Sequence, residues 1–170
     1  MRAIIVLILF FITMTSTAQQ APALSFFCEL KVQLDPAMVV GETPHGTRRI
    51  IPITGGTVEG PTIKGEIIKG GADWQVLRKD GVTELEAHYQ FKTEDGTLIY
   101  IKNTGLRVAS KEVADRLAKG ENVPSTQYYF RAVPKFEAPT GKYDWINNAI
   151  FVCTGERLAG MVVIKVWKLE

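Results

Sequence analysis

The sequence predicts an all-β domain, an antiparallel meander arranged as a barrel or a sandwich. Three observations predict it. Short runs alternate apolar and polar residues, the period of a half-buried strand. Gly55-Gly56, Gly70-Gly71, Asp80-Gly81, Asp95-Gly96 and Asn103-Thr104-Gly105 punctuate those runs. Only the stretch from Ser110 to Lys119 carries a convincing helical period after the N-terminal segment. Spacing this short gives about nine or ten strands. A closed barrel is the simpler outcome of a long meander, because closure removes exposed strand edges.

In chain order, residues 19–24 read as a flexible start. In Phe26–Leu34, Phe26, Cys28, Leu30, Val32 and Leu34 share one face, which makes a half-buried strand ended by Asp35-Pro36. Val39–Arg49 holds a loop and leads into a strand at Arg48–Ile53, broken by Gly55-Gly56 before Thr57–Glu59. Ile63–Lys69 is the next strand, ended by Gly70-Gly71. Trp74–Lys79 and Glu84–Thr93 flank Asp80-Gly81. That dipeptide and Asp95-Gly96 favour two-residue type I′ turns, with φ > 0 at both central residues. Leu98–Asn103 follows. Ser110 is placed as a helix N-cap, with Glu112 in the first turn, Val113 and Leu117 on one face and Gly120 as the stop. Tyr128–Val133 is a strand, Pro134–Tyr143 a loop, and Ala149–Thr154 and Met161–Leu169 the last two strands.

The chain of 170 residues divides into 1–18, a signal peptide, and 19–170, one domain. Met1-Arg2 is a basic start, Ala3–Met14 is almost wholly apolar, and Ser16-Thr17-Ala18 sets small residues before Gln19. The apolar run is well short of the roughly 20 residues that span a bilayer. The expected location is therefore exported, periplasmic or secreted, with no membrane attachment after cleavage. The net charge is +2, and removal of residues 1–18 takes one Arg and leaves +1. So small a charge argues against nucleic acid, which needs a basic stripe. Cys28 and Cys153 form either a disulfide, open to an exported protein, or two separate buried thiols.

Seven segments in register carry a resemblance. They are Gly55-Gly56-Thr57-Val58-Glu59-Gly60-Pro61, Gly71-Ala72-Asp73-Trp74, Arg78-Lys79-Asp80-Gly81, Thr93-Glu94-Asp95-Gly96, Tyr129-Phe130-Arg131, Tyr143-Asp144-Trp145-Ile146-Asn147 and Phe151 to Arg157. Over about Phe26–Lys168 the chain resembles the uncharacterised family called domain of unknown function 3237. The resemblance implies a lipocalin-like antiparallel β-barrel and no settled activity. The signal peptide is an addition to that pattern, and His88 stands where the pattern leads one to expect Arg.

Candidate chemistry begins with Glu86 and His88, which share a strand face with Gln90. If that face points inward, Glu86, His88 and Arg131 make a proton-transfer set, since a carboxylate and an imidazole tuned by burial suit acid–base work. If it points outward, it is the solvated face of an amphipathic strand. Arg131 is either outward or paired with an inward acid. Asp73, Trp74, Tyr100, Tyr129, Phe136, Trp145 and Asn147 are candidate ligand contacts; the plainer reading of Asp73, Trp74, Trp145 and Asn147 is turn capping, core packing and loop anchoring. Glu156-Arg157 reads as a surface ion pair. No metal is expected, because His45 and His88 stand far apart and outside any ligand spacing. No cofactor is expected either, for want of a dinucleotide fingerprint.

Three functions are compatible with these residues. The first is an exported barrel binding a small apolar or aromatic molecule in its lumen or mouth. The second is a cofactor-free isomerase, cyclase or lyase working by proton transfer. The third is a barrel with a filled core acting through its surface, with a homodimer left open.

Overall fold

The computed structural model describes residues 20–170. The signal peptide expected at 1–18 lies outside them. The described chain forms β1 (Leu24–Leu34), β2 (Met38–Thr43), β3 (Gly46–Glu59), β4 (Lys64–Leu77), β5 (Val82–Thr93), β6 (Leu98–Val108), α1 (Lys111–Ala118), β7 (Tyr129–Glu137), β8 (Phe151–Leu158) and β9 (Met161–Leu169). Strands β3 to β9 run as an antiparallel meander, and β1 pairs with both β9 and β3. That double pairing closes eight strands into a barrel, as the sequence predicts. The extra strand, β2, makes a hairpin with the first half of β3 through Pro44-His45.

The paired glycines bend strands rather than ending them. Register shifts between Ile53 and Thr57 in β3 and between Ile68 and Ala72 in β4 mark bulges at Gly55-Gly56 and Gly70-Gly71. Glycine is required there by close approach. A Cβ on Gly56 would lie 1.9 Å from the Lys31 carbonyl oxygen, and one on Gly71 2.4 Å from the Tyr89 Cβ. The runs expected as separate strands at Ile63–Lys69 and Trp74–Lys79 are thus one bent strand, β4. Strand β6 likewise passes through Asn103-Thr104-Gly105, and β7 through Pro134.

The hairpin turns differ in type from the expectation. Asp80 and Asp95 keep negative φ, while Gly81 and Gly96 take φ of 87° and 86°. Gly81 N–H donates to the Arg78 carbonyl and Gly96 N–H to that of Thr93. Each is a longer loop, a turn closed by one left-handed glycine, as in a G1-type hairpin. The helix starts as predicted: Ser110 Oγ accepts from Val113 N–H at 3.3 Å, and Val113 and Leu117 are buried.

The lumen is filled at one end and polar at the other. At the filled end, Phe27, Phe136 and Phe151 stack with ring centroids 4.9–5.4 Å apart. The turn Asp144–Asn148 covers that end with buried Ile146. Asp95 ties the preceding loop down by accepting from Lys142 Nζ at 2.8 Å and the Tyr143 hydroxyl at 3.1 Å. Cys28 and Cys153 face the same core as free thiols. Both are registered opposite Val166, on the two sides of β9. Two strand spacings put their Cα atoms about 9–10 Å apart, beyond the roughly 7 Å that a disulfide spans.

Phe151→Ala is expected to cost about 3–5 kcal/mol, because the plug cannot collapse into the void. Tyr129→Ala, on the exposed outer face, should change stability by no more than about 0.5 kcal/mol. Urea unfolding midpoints of the two variants would decide; equal effects would contradict the assignment of a filled end.

Candidate functional site

The inner faces of the strands change character toward the end near α1. On β6 the inward series runs Ile99, Ile101, Asn103, Gly105, Arg107. On β8 it runs Phe151, Cys153, Gly155, Arg157, and on β4 it includes Asp73 and Gln75. Strand β3 adds Arg49 and β5 adds Thr83. Alternation alone puts these polar groups inside, since residues two apart share a face. Gln75, Thr83, Asn103 and Arg107 are buried, and Arg49, Asp73 and Arg157 are partly buried.

Hydrogen bonds link part of this set. Arg49 Nε donates to Gln75 Oε1 at 2.8 Å, and Gln75 Nε2 donates to Asp73 Oδ2 at 2.5 Å. The other Asp73 oxygen accepts from Glu86 N–H at 3.1 Å. Arg107 Nη2 reaches Thr83 Oγ1 at 3.5 Å. The Tyr128 hydroxyl accepts from the Arg157 backbone N–H at 2.8 Å. Among the described residues, no carboxylate forms an ion pair with Arg49, Arg107 or Arg157.

Charge here is poorly solvated. Burial, reinforced by Arg49 and Arg157, lowers the Arg107 pKa to about 10, so it stays cationic at neutral pH. Burial also lowers Arg49 and Arg157. It raises the Asp73 carboxyl above its ordinary value of 3.8, against the opposing pull of Gln75, the Glu86 amide and the arginines. Deeper in the barrel lies Tyr89, 1% exposed, whose hydroxyl has no hydrogen-bond partner among the described residues. A buried polar group without a partner costs about 1–3 kcal/mol.

These groups line two adjacent spaces. A lumen cavity of about 40 Å³ is lined by Asp73, Gln75, Tyr89, Asn103, Arg107 and Arg157 among apolar neighbours. Outside it, under α1, lies a cleft of about 760 Å³ that shares Leu34, Arg107 and Arg157 with the cavity. The cleft has the size of a ligand pocket, and the cavity lies on the inner side of Arg107 and Arg157, which line both.

The residues singled out from the sequence fall in several places. Asp73 lies inside, at the polar end. Phe136 is buried in the filled end. Glu86, His88, Trp74 and Tyr100 gather on the outer face of β4, β5 and β6. There His88 Nδ1 meets the Tyr100 hydroxyl at 2.5 Å, and Nε2 meets Glu86 Oε1 at 3.1 Å. Lys102 Nζ lies 3.2 Å from the same oxygen. His88 and Lys102 hold the Glu86 carboxyl below its ordinary range. Arg131 is on the outer face of β7, two strands from Glu86, donating to the Phe130 carbonyl with its guanidinium over Tyr129. Trp145 packs against Phe27 at the filled end, and Asn147 clamps the Ala138 backbone through its carbonyl and its amide. Among the described residues, no group of three or more His, Cys, Asp or Glu could hold a metal.

Arg49, Gln75, Arg107, Arg157 and Tyr89 were not singled out by the sequence. The Glu156-Arg157 pair read as a surface ion pair is split by alternation, and Arg157 turns inward. The available signal was one polar residue continuing the apolar face of several strands at the same barrel end.

Comparison with protein families matches residues 22–169 to the family described as "Protein of unknown function (DUF3237)". A UPF0311 protein of Clostridium acetobutylicum is 38% identical over 142 residues, covering 83% of this chain and 90% of that protein. The crystal structure of a conserved protein of unknown function from Rhodopseudomonas palustris superposes with a TM-score of 0.87 at 36% identity, covering 89% of this chain and all of the other. A more distant relative, named a hydroalkoxylation enzyme, from Penicillium herquei, is 22% identical over 161 residues, covering 95% of this chain and 93% of that protein.

The raised Asp73 pKa has a sign. The folded chain holds that proton to higher pH than the unfolded chain, so the contribution to stability is full below about pH 3.8 and is lost as pH rises through the folded value. The stability of the wild type relative to Asp73→Asn should therefore fall as pH is raised from about 3.8. Urea unfolding at a series of pH values measures this; a flat or rising difference would contradict a desolvated Asp73.

Proposed function

The chain belongs to this family of proteins of unknown function, and we propose, from the site itself, that the barrel binds a small molecule in the mouth under α1. One observation carries the reading: the cleft adjoins a lumen cavity lined by arginines that, among the described residues, have no ion-pair partner, and by Tyr89, whose hydroxyl has no hydrogen-bond partner among them. A barrel acting only through its surface gains nothing from such groups, since apolar residues would fill the same space more stably. The walls supplied by Leu34, Ile51, Leu77, Ala109 and Leu117 suit an apolar body. Export, expected from residues 1–18, would place this site in the periplasm or outside the cell.

A second reading is favoured by Asp73. A desolvated carboxyl beside guanidinium groups can exchange protons with a bound substrate, and this proposal makes it the acid–base residue of a cofactor-free enzyme. The distant relative's name supplies a reaction type. Hydroalkoxylation adds an alcohol O–H across a C=C bond. In the conjugated case Asp73 would take the hydroxyl proton as oxygen attacks the far alkene carbon. The arginines would hold the resulting enolate oxygen, and Asp73 would return the proton to the neighbouring carbon. No atom is gained or lost. This role falls to Asp73 rather than Glu86, because Glu86 lies on the outer face, away from the cleft and cavity, where His88 and Lys102 hold its carboxyl below the ordinary range.

Titration of the labelled protein with a set of small aromatic fragments, followed by NMR, checks the first reading. Amide shifts should cluster on Leu34, Leu77, Thr83, Arg107 and Arg157. Clustering instead around Trp74, His88 and Tyr100 would overturn it. The second reading is checked with a phenol carrying a conjugated enone within reach of its hydroxyl. Cyclisation should fall at least about 100-fold in Asp73→Asn while binding persists; unchanged turnover would remove Asp73 from the chemistry.

A further inference from the structure

The arginines say more about the occupant than that it is small. Arg49, Arg107 and Arg157 come from three different strands and line the cleft, and Arg107 and Arg157 line the lumen cavity as well. Asp73 is the carboxylate that acts on all three. It forms no ion pair with any of them, and its two oxygens are engaged by Gln75 and the Glu86 amide. Within this set of three arginines and one carboxylate two positive charges are therefore left over, and the other charged residues of the cleft, Asp35, Asp80 and Asp115 against Arg78, Lys79 and Lys111, cancel. Guanidinium groups cannot shed their protons to escape burial, so the imbalance is permanent at physiological pH.

Resting on the reading of the mouth as a small-molecule site, we infer that its ligand is an organic anion. It has an apolar, ring-sized body and a carboxylate, enolate or phenolate oxygen taken by Arg107 and Arg157. The planar donor forks of these two residues match such oxygens, and they line both the cleft and the inner cavity. The second observation is independent of charge. Tyr89, whose buried hydroxyl has no hydrogen-bond partner among the described residues, lines the same cavity as Arg107 and Arg157. It offers a hydrogen bond to a second oxygen carried deeper on the same ligand. An inorganic anion would satisfy the arginines and leave the aliphatic walls of the cleft wet.

The other features of the molecule carry less. In the outer cluster His88 is hydrogen-bonded to Tyr100 and Glu86 and packs edge to face on Trp74, and the cluster is half in solvent. The apolar outer strip around Leu106, Tyr129 and Val133 has nothing that says what covers it.

The test uses 2-naphthoate, its uncharged isostere 2-naphthamide, and inorganic phosphate, each titrated calorimetrically into the protein at neutral pH. Naphthoate should bind at least about tenfold more tightly than naphthamide, as a charge-assisted hydrogen bond requires. Arg107→Gln and Arg157→Gln, with folding confirmed by thermal unfolding, should bring the two probes to parity. Should either variant fail to fold, the wild-type comparison of the two probes decides by itself. Equal affinity for both probes, or a preference for naphthamide, would overturn the anion while leaving the small-molecule site standing. Phosphate binding as tightly as naphthoate would overturn the apolar body. Binding of none of the three at millimolar concentration would overturn both the inference and the reading beneath it.

Discussion

Everything in this molecule depends on the first strand. β1 hydrogen-bonds to β9 along one edge and to β3 along the other. Without it the meander would be an open sheet with two long edges, and inside and outside would have no fixed meaning. Closure converts the period-2 alternation of each strand into a sorting rule, with one face to the lumen and the other to solvent. The bulges at Gly55-Gly56 and Gly70-Gly71 serve the same end. They let two adjacent long strands turn the barrel's corner where a side chain would strike the neighbouring backbone.

Closure then makes the two ends compete differently for the same interior. At one end, Phe27, Phe136 and Phe151 fill the lumen and Ile146 caps it, which secures the hydrophobic stabilisation a domain of this size needs. At the other, guanidinium, carboxylate, amide and phenol groups occupy positions where aliphatic residues would fit. Burying unneutralised charge is costly, so the polar end is sustained by the stability of the filled end.

Much of this was written in the sequence, and some was not. The all-β class, the helix from Ser110 and the last strand followed from period and capping, and the choice of a barrel over a sandwich from edge closure and the family resemblance. The paired glycines misled about strand ends, because glycine marks both a stop and a bulge, and only the partner strand decides between them. Asp80 and Asp95 misled about turn type for the same reason: loop length is set by strand register, which is a property of pairs. For the site, alternation correctly grouped Glu86 with His88, but which face turns inward depends on the apolar weight of the whole barrel. Leu85, Ala87, Tyr89 and Phe91 win that contest on β5. Arg107 and Arg157 were hidden because each sits near a strand end, where a charged residue ordinarily reads as solvent-facing. Their common depth in the barrel becomes visible only once the registers align them.

The proposed ligand site is the arginine-lined mouth, and not the aromatic cluster outside β5. A crystal structure grown with 2-naphthoate tests it most directly. The account predicts the naphthalene ring in the cleft beneath α1, with its carboxylate within hydrogen-bond distance of Arg107 or Arg157. A ring bound against Trp74 and His88, with the mouth unoccupied, would contradict it.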